Sequence, residues 1–98
     1  MGNVGIVLAA RDALRISSNY FDVEIAGLVD AARLTMVNSG IKNAVAHDDE
    51  NPLTRLAVIT YVKANFGLDN PESEKYQRSF DSIVTHLKST TEFGEVLA

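Results

Sequence analysis

The sequence predicts an all-α fold: a small bundle of four helices followed by an extended C-terminal tail. Three observations carry this. Apolar residues recur at helical spacing in four segments, and nowhere do they alternate as in a half-buried strand. The segments are punctuated by residues that open and close helices, with Asn-Pro before two of them and Gly40 and Gly67 after two. A composition of 46% apolar and 22% charged residues is that of a chain with a packed core. The 98 residues are read as one domain, of a size that buries about two-thirds of its unfolded surface.

The first helix, residues 3–15, places Val4, Val7, Leu8, Arg11 and Leu14 along one stripe, with Arg11 the only break in its apolar face. The second, residues 21–39, follows the polar break "SSN" and spaces Ile25, Leu28, Val29, Ala32 and Met36 as a core-facing helix requires. Asn19 is its expected cap, and Asp22 lies near the positive end of its dipole. Gly40 supplies the left-handed residue that ends it, and Ile41 is placed to fold back on Met36 in a Schellman arrangement.

The third helix, residues 52–66, opens on Asn51 and Pro52. The Asn side chain accepts from unpaired N–H groups, and the proline lacks a donor that would have no partner there. Leu53, Leu56, Ala57, Ile59, Tyr61 and Val62 surround most of its circumference, which predicts a central helix with neighbours on several sides. Gly67 ends it, and Leu68 is expected to cover its last turn. The same Asn-Pro device recurs at Asn70 and Pro71 and predicts a fourth helix over residues 71–89. Its apolar face holds Tyr76, Phe80, Ile83, Val84 and Leu87, and Glu74 and Arg78 form an i, i+4 pair on the other side. The tail, residues 90–98, leaves Phe93, Val96 and Leu97 without an evident place in the bundle.

Several functional classes are excluded early. The chain has no cysteine, hence no disulfide framework, thiolate zinc site or cysteine nucleophile. An apolar patch of about seven residues near the N-terminus, with no basic region ahead of it, fails as a signal peptide and as a membrane span. A soluble protein made inside the cell, without membrane contact, is therefore expected. A net charge of −4 and scattered basic residues disfavour a protein that grips phosphates.

His47, Asp48, Asp49 and Glu50 form the only cluster of potential metal or acid/base ligands. A calcium loop starting at Asp48 would need glycine where Leu53 stands, and carboxylates just before a helix are what its dipole favours anyway. The only other histidine, His86, lies beside the apolar stripe of the fourth helix, so both histidines are read as surface residues and no metal is expected. No nucleophile elbow, phosphate loop, dinucleotide fingerprint or zinc-protease motif is present, so no catalytic residue and no cofactor is assigned. Tyr61, Tyr76 and Phe80, at helical spacing within apolar stripes, read as core and not as a platform for nucleic-acid bases.

Taken in order, the short first helix ending "ALRI", the run "DVEIAGLVDAARLTMVNSGI", an acidic loop, "NPLTRLAVITYVKANFG" and "YQRSFDSIVTHLKS" resemble the head-tail connector family of tailed bacteriophages, the small adaptor proteins that dock beneath the portal. The resemblance covers about residues 7–89. Its most specific elements are the D-x-E-I-x-x-L-x-x-A run beginning at Asp22 and the Y-V-x-x-x-F-G run ending at Gly67. It implies a structural, non-enzymatic subunit of the virion neck, assembled in the host cytoplasm into a ring of about a dozen copies. The implied partners are the portal protein, a stopper or tail-completion protein and further copies of the chain. DNA would pass through the channel without specific binding, as an acidic surface favours.

Two contact surfaces are expected within that frame. The tail, with Phe93, Val96 and Leu97 as anchors, supplies the portal contact. The loop over residues 41–50, with His47, Asp48, Asp49 and Glu50, faces the component below. The alternative reading is a small helical regulatory or protein-binding module, resembling a transcription factor or an inhibitor of a host protein. As a helix-turn-helix it has a connection of about ten residues between the second and third helices, against the usual three or four, and no cluster of Arg or Lys opens the third helix.

Overall fold

The computed structural model describes residues 3–89. It is all-α, with helices α1 (Val4–Ala13), α2 (Asp22–Asn38), α3 (Asn43–Ala46), α4 (Pro52–Asn65) and α5 (Ser73–Lys88). The four long helices are those the periodicity predicts. The short α3 is additional and lies inside the segment read as a loop. The expected tail falls outside the described residues.

Helix α4 is central, packing against α1, α2 and α5. Its Ala57, Val58 and Val62 meet Ile25, Val29 and Met36 of α2 and Phe80 and Leu87 of α5 in one continuous core. The largest of these side chains are fully withdrawn from water. Each contributes about 2 kcal/mol of apolar burial. Tyr61 and Phe80 add an edge-on ring contact between α4 and α5, with centroids 5.1 Å apart. Helices α1 and α2 run antiparallel, because Asn3 reaches Asp30 near the middle of α2 while Arg11 reaches Asp22 at its start.

The helix ends reward and correct the sequence reading in turn. At Gly40 (φ 108°) the Schellman motif forms as expected: Ile41 N–H donates to Met36 O at 3.0 Å, Gly40 N–H donates to Val37 O at 3.0 Å, and Ile41 is buried on Met36. Asn51 caps α4, its side-chain oxygen accepting from Leu53 N at 2.9 Å and Thr54 N at 3.4 Å. Asn19 does not cap α2 with its side chain. Its main-chain oxygen accepts from Asp22 N, and Phe21 holds the cap position.

Asn70 does the opposite of Asn51. Its amide donates backwards to Lys63 O at 2.6 Å, with longer contacts to Ala64 O and Phe66 O, closing the end of α4. Pro71 then stands before α5 and not at its first position. Leu68, expected to cover that turn, is fully exposed, because Asn70 and the Ser73 hydroxyl (2.6 Å to Ala64 O) already satisfy the open carbonyls.

Two apolar faces are also turned from where the periodicity put them. Helix α1 buries Ile6, Val7 and Ala10 and leaves Val4 71% and Leu8 45% exposed. Nearly every position from Val4 to Ala10 is apolar, so spacing alone does not select the stripe that packs. On α4, Thr54 and Thr60 are buried while Leu56 is 50% exposed. Thr54 tolerates burial because its hydroxyl donates to Val45 O at 2.9 Å.

Candidate functional site

Helices α1 and α2 meet along a groove of about 300 Å³, floored by Val4, Val7, Leu8, Val23 and Ala26, with Asn3 and Asp22 also in its lining. The groove is apolar because the antiparallel pair turns its exposed apolar residues toward one seam; Val23 is 88% exposed. Arg11 clamps the groove-lining Asp22, donating from Nε to its Oδ1 at 3.1 Å and from a terminal nitrogen to the other carboxylate oxygen. That hydrogen bond, with the charges of Asp22 and Asp12, raises the guanidinium further above its already high pKa, so Arg11 stays a cation at every working pH. The arginine that interrupts the predicted stripe is thus a lock between the two helices.

A second arginine, given no role from sequence, organises the other end. Arg33 is 3% exposed on the core side of α2. Its Nη1 donates to Ala46 O at 2.8 Å, and its Nη2 reaches Asp49 Oδ1 and Oδ2 at 2.8 and 3.0 Å and Asn3 Oδ1 at 3.2 Å. Asn3 in turn donates to Asp30 at 2.7 Å. One planar group therefore ties the start of α1, the middle of α2 and the α3 segment together. Its Nε is buried without a hydrogen-bond partner among the described residues, which costs about 1–3 kcal/mol and makes the cluster a constraint on geometry more than a gain in stability. A signal for it was available. Arg33 sits four residues after Val29 and three before Met36, within the buried arc, with acidic residues in the next loop.

The acidic run is consequently divided. Asp49 is drawn inward by Arg33, while His47, Asp48 and Glu50 are exposed. His47 Nδ1 lies 2.9 Å from Asn43 O, and Asp48 accepts from Glu50 N at 3.0 Å in a local turn. Buried Ile41 and Ala46 pin the chain on the N-terminal side of this run. His86 is exposed on α5, as the sequence predicts. The anchors assigned to the tail, Phe93, Val96 and Leu97, lie outside the described residues.

A third feature is a stripe on the outer side of α4. Arg55 and Leu56 are exposed there, and Ile59 and Lys63 follow at helical spacing, half-buried. No helix among the described residues is long and apolar enough to cross a membrane.

The family model described as phage connector protein matches residues 6–94, a span that takes in nearly all of α1 and every later helix. No curated protein and no solved structure matches the chain.

Proposed function

This chain belongs to the phage connector family, a family of structural proteins, and we propose that within it the chain is a head-tail adaptor. In this reading about a dozen copies form a ring beneath the portal. The ring joins the DNA-filled head to a stopper or tail-completion protein, within a virion neck assembled in the host cytoplasm. The single observation that carries the proposal is the family match over residues 6–94. The net charge of −4 supports the passage of DNA, because an acidic lining repels phosphate and lets the duplex slide without a specific grip.

Two contacts are part of the proposal. Phe93, Val96 and Leu97 anchor the subunit on the portal, since apolar residues beyond the last helix gain most from burial in a partner. His47, Asp48 and Glu50 face the component below, and Asp49 serves them indirectly by fixing the segment to Arg33. Removing residues 91–98 should leave helical content unchanged and abolish portal docking.

The deciding experiment is peptide mass spectrometry with copy-number quantification on purified particles. The proposal expects this chain at about the abundance of the portal and far below that of the capsid protein. Its absence from particles, with abundance only in the soluble lysate, would sink the connector reading and promote the small regulatory module.

A further inference from the structure

We infer that neighbouring subunits join head to tail through two faces of this chain: the α1–α2 groove of one copy receives the α4 stripe of Arg55, Leu56, Ile59 and Lys63 from the next. The inference rests on the ring reading above and specifies its contact.

Both faces carry apolar side chains that the bundle leaves in water. On the groove these are Val4, Leu8 and Val23, and on the stripe Leu56 with the half-buried Ile59. Their charges are opposite. Glu24 is next to Val23 in the chain, and Asp30 stands two turns further along α2. Both are exposed outside the groove lining and meet no cation among the described residues, Asp30 accepting only from the Asn3 amide at 2.7 Å. On α4, Arg55 has no ion-pair partner among the described residues, and the Lys63 ammonium stands 5.4 Å from the ring centre of Tyr76 without a carboxylate. An apolar floor with uncompensated acids on its α2 side thus fits an apolar ridge edged by bases.

The arrangement also selects the kind of symmetry. Groove against groove sets Glu24 and Asp30 against their own copies, and stripe against stripe does the same for Arg55 and Lys63. Neither face is self-complementary, so a two-fold dimer is disfavoured and a repeating, ring-closing contact is favoured. The two faces do not compete on one subunit. Thr54, Ala57, Val58 and Val62 turn the remainder of α4 toward the core, which leaves the stripe facing away from the helices that form the groove. The chain's own tail is a poorer occupant, because Glu92 and Glu95 accompany Phe93, Val96 and Leu97 and would meet Glu24 and Asp30.

The absence of cysteine makes the contact testable on a clean background. Particles are assembled with the full chain carrying Val23→Cys and Leu56→Cys together, treated with a short bismaleimide and run on a denaturing gel. The expected result is a ladder of covalent multimers from the double variant and only monomer from either single variant. A chain present in particles that gives no ladder overturns the assigned faces while leaving the connector reading intact, and dimers from a single variant overturn the head-to-tail geometry. A wild-type chain absent from particles removes the connector reading, and the contact with it. A second pair guards against a variant that fails to assemble. Glu24→Arg and Arg55→Glu should each lower incorporation into particles about tenfold, and their combination should recover it to within about twofold of wild type. Failure of the combination to recover, with helical circular dichroism unchanged, also overturns the contact.

Discussion

The connections leading into α4 and α5 end on the same dipeptide, Asn-Pro, yet they work in opposite directions. Asn51 accepts from the N–H groups of the helix that follows it; Asn70 donates to the carbonyls of the helix that precedes it. What the preceding helix leaves open makes the difference. Asn70 comes five residues after the last residue of α4, within reach of that helix's open end. Asn51 also comes five residues after a helix, the short α3, but there Arg33 Nη1 already takes Ala46 O and the Thr54 hydroxyl takes Val45 O, so no open carbonyl claims its amide. An amide side chain carries both donors and an acceptor, so the dipeptide specifies a junction, and the chain behind it decides which end is served.

The largest effect should come from removing what holds the first connection. Asp49→Ala strips the carboxylate from a buried guanidinium and should destabilise the fold by about 2–3 kcal/mol in chemical denaturation. Little change would mean that Arg33 finds an equal partner and that the first connection is not pinned through Asp49. Asn70→Asp comes next, at about 2 kcal/mol, because it replaces a donor with a carboxylate at the negative end of α4. Asn51→Ala should cost about 1 kcal/mol, the ordinary loss of an N-cap. Asn51→Asp should fall within about 0.5 kcal/mol of wild type, since a carboxylate accepts there as well as an amide oxygen does. The two Asn→Asp variants together are the sharpest comparison, and equal responses at residues 51 and 70 would contradict the opposed roles.

Much of the fold was legible in the sequence. The four long helices, the central place of α4, the Gly40 Schellman motif and the Asn51 cap all follow from periodicity and local chemistry, and each recurs in the structure. What stayed hidden depends on distance in the chain. Arg33 meets Asn3 and Asp49, thirty residues before it and sixteen after it, and no local rule brings those three together. Val4, Leu8 and Leu56 have the apolar character and regular spacing of core residues, and the structure leaves them in water. Where local regularity and burial part company, a partner surface is the physical reading, and both inferred faces fall on these residues. The family resemblance was legible too, in the order and spacing of runs no one of which is distinctive alone.

The Arg33 cluster has a consequence for how the molecule breathes. Opening the acidic segment by itself strands a charged group in the core, and fraying the first turn of α1 takes away that group's Asn3 contact and loosens its surroundings. The two excursions therefore belong to one cooperative event. In native-state hydrogen exchange the amides of Ala46 and His47, bonded to Lys42 and Asn43, should lose protection in step with the Val7 amide, bonded to Asn3. Two stretches nearly forty residues apart in the chain then unlatch as a single unit, and a protease meets the exposed acidic run only as often as that unit opens.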